Sequence, residues 1–256
     1  MTYGLIPNKQ KMELQLYKNY EEISWAAAYL ILQQVQRKAD SLICFPSGES
    51  PTGMFKQLVK FAQEGSIDFS QTNFVGLDEW VGMDKTDENS CTYFLNKHFF
   101  EPLNIPASQI HFFNAAADDL DAECEKMNKH ISQLGGLDIM VVGIGLNGHI
   151  GLNEPGTNFK TYAHHSPLDP ITATVAQKYF KQETVVTEGI TLGLQHLAEA
   201  KTPVLIASGT KKADIMAKAL NGPVTADVPA SIMQTLQNAQ IFLDHDAAEK
   251  LLTHQS

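Results

Sequence analysis

The strongest constraint on this chain is an alternation. Short apolar runs recur along it, and most are followed by a longer segment with helical spacing. Residues 13–17, 41–45 (SLICF), 73–77 (NFVGL), 110–113, 137–144 (LDIMVVGI), 204–207 and 241–243 read as strands. Residues 20–38, 54–62, 92–100, 122–134 and 211–220 read as helices. Most of the strand segments are apolar throughout, as strands buried on both faces are. This order predicts an α/β fold with a mostly parallel, doubly wound sheet and helices on both faces, a Rossmann-like three-layer α/β/α arrangement. The run 137–144 is the longest and is expected at the centre. No repeat, low-complexity tract or linker interrupts the pattern, so residues 1–256 are expected to form a single domain.

One stretch breaks the rhythm. Residues 161–188 are polar, contain Pro167 and Pro170, and carry the adjacent pair His164 and His165. A connection of this length is either a lid over a binding site or a plain surface helix with its loop.

Charge narrows the function. Lys plus Arg total 19 against 29 Asp plus Glu, a net charge of -10. That field repels nucleic acid and anionic membranes. An anionic small molecule stays possible if a few cations are placed locally. No apolar run approaches the ~20 residues of a membrane span, and the first twenty residues lack the apolar stretch of a secretory signal. Three cysteines, without a CxxC pair, indicate neither a disulfide framework nor a zinc knuckle. Cys44 reads as core, and Cys91 and Cys124 as half-buried helix positions. A reduced, cytoplasmic setting fits. The chain is compatible with a monomer or a homo-oligomer.

In open α/β sheets, ligands bind beyond the carboxyl ends of the strands. After 41–45 comes Pro46-Ser47-Gly48-Glu49-Ser50-Pro51-Thr52-Gly53, leading into a helix. Free N–H groups and the helix dipole at such a junction suit a phosphate. The alternative is a simple cap, with Ser50 at N-cap and Pro51 at the first helical position. Glu49 is awkward beside an anion and is expected to point away. After 73–77 come Asp78 and Glu79, two carboxylates that face opposite ways if the strand continues, so that only one reaches a given cleft.

After the longest run, residues 143–148 (GIGLNG) match G-x-G-x-x-G. A dinucleotide site needs a long helix there, and Gly151 and Pro155 forbid one. Asp169 lies near the expected acidic position, but Pro167 and Pro170 preclude the strand it should end. What the segment offers instead is a glycine-hinged turn presenting Asn147, His149 and Glu154. A histidine moves protons near neutrality, and a partner on its other ring nitrogen fixes its tautomer. Flanking Gly148 and Gly151 are expected to admit close approach of a ligand. The spacing from His149 to Glu154 is not that of a helical zinc motif.

The combination PSGESPTG, GLDEWVG and GIGLNGHIGLNEPG, in this order, resembles the glucosamine-6-phosphate deaminase (isomerase) family, as do ITLGLQHL, SGTKKA and VPAS further on. The sister family of 6-phosphogluconolactonases shares the fold but lacks the Asn153-Glu154-Pro155 that follows the histidine here. The resemblance implies opening of a hexosamine 6-phosphate ring, transfer of a proton from C2 to C1, and release of ammonia, with no metal or cofactor. It implies Asp78 as the proton shuttle, with Glu79 supporting it. His149 is implied in ring opening, Glu154 as its orienting partner and Asn147 as the third member of that relay. For the phosphate it implies the amides of Gly48 and Glu49, the Ser50 hydroxyl, Lys212 and, where relatives carry an arginine, Lys178. Residues 160–165 lack the arginines of allosterically activated relatives, which implies a hyperbolic substrate curve. Trp80, Leu152 and Tyr162-Ala163-His164 look like the galactosamine-6-phosphate branch, with His164 and His165 as candidate partners for the C4 hydroxyl.

Overall fold

The computed structural model describes residues 12–180 and 184–252. Along the chain its strands are β1 (Glu13–Tyr17), β2 (Leu42–Phe45), β3 (Asn73–Gly76), β4 (Asp78–Trp80), β5 (Ile110–His111), β6 (Ile139–Val142), β7 (His164–Pro167), β8 (Glu188–Thr191), β9 (Thr202–Ala207) and β10 (Gln240–Asp244). The α-helices are α1 (Tyr20–Arg37), α2 (Glu49–Gln63), α3 (Cys91–Leu95), α4 (Leu120–Gln133), α5 (Pro170–Ala176), α6 (Leu194–Glu199), α7 (Ala213–Asn221) and α8 (His245–Leu252). Seven strands form the main sheet in the order β1-β10-β9-β6-β2-β3-β5, with every pairing parallel. The expected doubly wound sheet is therefore present, and β6 stands fourth of seven, at its centre.

Parity along the strands sorts the core into two layers. Ile43, Phe45, Ile139, Val141, Val204 and Ile206 pack with α1 and α2 on one face. Leu42, Cys44, Met140, Val142, Leu205 and Ala207 pack with α4, α6, α7 and α8 on the other. Both faces are covered, so both parities must be apolar, which is why these strands are apolar throughout. Phe45, Phe74 and Phe99 meet at centroid separations of 5.2–5.6 Å, a tight aromatic knot under α2.

The winding fixes where a ligand can sit. From β2 the chain goes outward to β3 and β5, then returns to the opposite side of β2 as β6 and continues outward to β9 and β10. The loops leaving the carboxyl ends of β2 and β6 therefore diverge and open a crevice at the switch point.

Several expectations need correction. The second helix begins at Glu49 rather than at residue 54, with Gly48 as its N-cap and no side-chain cap. Ser50 and Pro51 thus lie inside its first turn, and the simple Ser50 cap is not made. Gly48 allows this because its φ of 99° turns the chain where a serine would be strained. The predicted helix 92–100 divides into α3 and a π-helical turn, Asn96–Phe100. Cys91 and Cys124 are buried, at 5% and 4% exposure, rather than half-buried. The polar stretch is more than a helix and loop. It contributes β7 and ends at the first residue of β8, and these two strands join β4 in a small antiparallel sheet ordered β4-β8-β7. Residues 181–183 of the stretch lie outside the described residues.

Candidate active site

The switch-point crevice is a cavity of about 240 Å³, just below the ~300–1,000 Å³ usual for small-molecule sites. Ser47, Gly48, Glu49 and Ser50 line it from the β2 side, and Gly143, Gly145 and His149 from the β6 side. Asp78 and Trp80 of β4, Lys212, and Ile171 and Thr172 of α5 complete the wall.

On the β2 side, α2 opens into the cavity with its first amides uncapped by any side chain. Such amides lack intrahelical partners and attract an anion. Tyr20 braces the turn, its hydroxyl donating to the carbonyl of Glu49 at 2.8 Å and accepting from the Gly53 N–H at 2.7 Å. Lys212 donates to the carbonyl of Ile144 at 2.5 Å, which plants an ammonium at the cavity edge. Burial holds that ammonium below its ordinary pKa; Glu49 works against the shift and Lys178 adds to it. The Glu49 side chain is exposed yet stays within electrostatic reach of Lys212, so it is not directed wholly away. Lys178 is exposed, on the one-turn helix Gln177–Tyr179, and does not line the cavity.

Strand alternation separates the two carboxylates as expected. Asp78 reaches the cavity. Glu79 turns away, is 2% exposed, and accepts the N–H groups of Trp80, Cys91 and Thr92 at 3.0, 2.8 and 2.8 Å. It thereby ties the first turn of α3 to β4. Burial, and then the adjacent Glu79 charge, push the Asp78 carboxyl up to about 7, against a lowering hydrogen bond from Cys91. A group poised there takes and returns a proton at neutral pH.

On the β6 side, residues 143–163 make turns instead of the helix a dinucleotide would need, and Asp169 only caps α5 through the Ile171 N–H at 2.8 Å. A Cβ on Gly145 would fall 2.4 Å from the His149 ring. The bare glycine lets the imidazole lie flat on the backbone. Gly148, at φ 90°, is needed for its turn and for its fit against Val228. Gly151 does line the cavity, but Thr191 and Leu77 crowd it from behind. Close packing, more than ligand access, accounts for both glycines.

Asn147 Nδ2 donates to Glu154 Oε2 at 2.9 Å, and Asn147 Oδ1 accepts the backbone N–H of His149 at 3.2 Å. The amide orients the carboxylate and the turn rather than the imidazole. His149 Nδ1 is 3.4 Å from Glu154 Oε2 and only 2.9 Å from Thr172 Oγ1. Burial works to raise the Glu154 carboxyl, but bonds from His149, Thr172 and Asn147, with the His149 charge, hold it below the ordinary value. Thr172 is the residue that sequence reasoning missed. Its only signal is indirect: the Asp169-Pro170 cap starts a helix that puts Thr172 in the first turn.

His164 and His165 do not line the cavity. His164 Nδ1 bonds the carbonyl of Tyr162 at 3.0 Å, and His165 Nδ1 bonds Glu188 at 2.6 Å. The geometry gives neither a route to a sugar hydroxyl. Trp80 does face the cavity, and its ring meets Phe180 edge-on at 5.9 Å.

Residues 19–242 match the family described as glucosamine-6-phosphate isomerases/6-phosphogluconolactonase. The chain belongs to this family. Among its members, the glucosamine-6-phosphate deaminase of Geobacillus sp. (strain WCH70) is 40% identical over 237 residues, 92% of this chain and 94% of the relative. That of Lachnoclostridium phytofermentans is 42% identical over 217 residues, 84% and 92% of the two chains. A solved monomeric glucosamine-6-phosphate deaminase superposes with a TM-score of 0.90 at 33% identity, covering 93% of this chain and all of that one. The 6-phosphogluconolactonase of Trypanosoma brucei shares the fold, with a TM-score of 0.76 at 16% identity.

Proposed function

We propose that this family member is an amino-sugar-6-phosphate deaminase/isomerase, converting a hexosamine 6-phosphate and water to a ketohexose 6-phosphate and ammonia. The observation that carries the reading is one cavity that holds a carboxyl titrating near 7 together with a carboxylate-backed histidine and an open helix N-terminus. The amides of Gly48 and Glu49, the Ser50 hydroxyl and Lys212 take the phosphate, with Lys178 joining from the 161–188 segment acting as a lid. His149, backed by Glu154, which Asn147 holds in place, moves the proton between the ring oxygen and the C1 hydroxyl that opens the sugar. Asp78 then removes the C2 proton and returns it to C1. The resulting C2 imine takes up water and releases ammonia. Each transfer needs only a positioned acid or base.

The relatives named above favour the gluco substrate. The sequence around Trp80, Leu152 and Tyr162 favours galactosamine 6-phosphate, and of these residues Trp80 and Leu152 line the cavity. On that ground we infer a modest preference for the galacto epimer. A site that bonds the C4 hydroxyl would discriminate by ~1–3 kcal/mol. Ammonia release by purified protein with the two epimers tests both levels. Turnover of either supports the deaminase, and a tenfold higher kcat/KM for the gluco epimer, ~1.4 kcal/mol, overturns the galacto preference. Hydrolysis of a phosphorylated lactone without ammonia release from either epimer would put the chain with the lactonases instead, and binding without turnover would make it a sensor. No helix among the described residues is long and apolar enough to cross a membrane, and three buried free cysteines fit a reducing, cytoplasmic setting.

A further inference from the structure

Most of the site rests on strand ends, but one of its hydrogen bonds does not. Thr172 sits on α5, within the stretch that departs from the strand–helix rhythm, and is 3% exposed. Its Oγ1 lies 2.9 Å from His149 Nδ1 and 3.4 Å from Asn147 Nδ2. The direct approach of His149 Nδ1 to Glu154 Oε2, at 3.4 Å, is longer than either bond that the hydroxyl and the amide make to their nearest partners.

We propose that Thr172 is a positioning residue, whose hydroxyl, delivered by α5, bridges His149 to Glu154 and sets which ring nitrogen of the histidine carries the proton. The proposal rests on the deaminase reading for its kinetic consequence, though not for its structural one.

Donor and acceptor counting gives the direction. An ionised carboxylate only accepts, an amide nitrogen only donates, and a hydroxyl does both. If Thr172 gives its proton to Glu154, its oxygen is free to accept from His149 Nδ1–H. The His149 Nδ1 proton, the Asn147 amide and the Thr172 hydroxyl are then each paired, only Glu154 Oε1 among these atoms lacks a partner, and Nε2 keeps the lone pair. If instead Thr172 donates to a bare Nδ1, that nitrogen's lone pair faces the Glu154 oxygen at 3.4 Å with no proton between them. The first arrangement wins. The groups that bear on the imidazole are Glu154, Asn147 and Thr172 behind it, with Asp78 and Lys212 on the same cavity.

The bond exists only while α5 is packed down. Ala176, Met83 and Val186 form a small apolar cluster with Trp80, Leu168 and Phe180 that fastens α5 to β4, the strand of Asp78. The seated α5 therefore favours the Nδ1–H form, in which Nε2 is free to take a proton.

The test is nitrogen-15 NMR of the histidine ring, with the His149 signal assigned by its loss in His149→Gln. Wild type is expected to show the Nδ1–H tautomer, Thr172→Val a mixture, and Thr172→Ser the wild-type form. In ammonia-release kinetics, Thr172→Val should lower kcat roughly tenfold with KM changed less than about twofold, and Thr172→Ser should recover most of it. An unchanged tautomer in Thr172→Val overturns the proposal, as does equal loss of activity in the serine and valine variants. If wild type releases no ammonia at all, the deaminase reading fails while the tautomer measurement still decides the role of Thr172.

Discussion

Two carboxylates serve one cavity from different corners, and their surroundings push them apart. Asp78 stands on β4, where burial and then the charge of its chain neighbour Glu79 raise its carboxyl to about 7 against a lowering hydrogen bond from the Cys91 thiol. Glu154 stands behind His149 with three donors around it, and its carboxyl is held low. The difference assigns their work. On the proposed reading the raised group trades protons near neutral pH, and the lowered one stays charged and orients its neighbour. Divergent surroundings, rather than the residue type, separate the base from the bracket.

The largest effect should come from removing the raised group. Asp78→Asn is expected to cut kcat by ~10²–10⁴-fold while phosphosugar binding, read by calorimetry, stays within a few-fold. A variant keeping a third of wild-type turnover would remove Asp78 from the chemistry. The lowered group should matter less. Glu154→Gln keeps the shape and loses the charge, and a hydrogen bond to a charged group is worth about 1.5–3 kcal/mol, or roughly 10–150-fold in rate. A loss in Glu154→Gln as deep as in Asp78→Asn would erase the distinction between the two corners.

The pH profile sharpens it further. Asp78 must be ionised to take the C2 proton, so kcat/KM in the wild type should rise with pH through a midpoint of about 7. Glu154→Gln should keep that limb, since its carboxylate is already charged there. An acid limb that moves only in Glu154→Gln would reverse the assignment.

The centre of the main sheet was legible because its strands are covered on both faces. LICF and IMVV can be apolar at every position only in such a place. The small sheet was not. DEW, HHSP and EGIT carry polar groups and a proline, so no period or apolar run marks them. The site divides in the same way. Ser47–Ser50, Asp78 and His149 were found because they follow strands, and the fold puts such residues at the crevice. Thr172 follows no strand of the main sheet and reaches His149 only because β7 and β8 carry α5 back over the cavity. That juxtaposition belongs to tertiary structure. His164 and His165 stood out in the sequence as a pair, yet each is taken up by its own neighbours.

The smallest predicted effect is on stability, and its sign differs between the two corners. The Asp78 pKa rises from 3.8 to about 7 on folding. Its ionised form therefore disfavours the folded state. The penalty is absent below the unfolded value, grows as pH climbs between the two values, and is complete above about 7. A shift of that size bounds it at about 4 kcal/mol, and the part of the side chain left open to the cavity keeps the expected effect below that bound. Asp78→Asn removes the penalty, so this variant should melt above wild type at pH 8 and level with it at pH 3.5. Glu154 has the opposite sign, because its folded pKa lies below 4.5. Its ionised form contributes stability above the unfolded value, and that contribution is lost as pH falls through the folded one. Glu154→Gln should therefore melt below wild type at pH 8, with the gap closing in acid. Thermal melts of the two variants at both pH values decide the matter. Shifts of the same sign at pH 8 would show that the two corners do not differ in the way their hydrogen bonds and burial require.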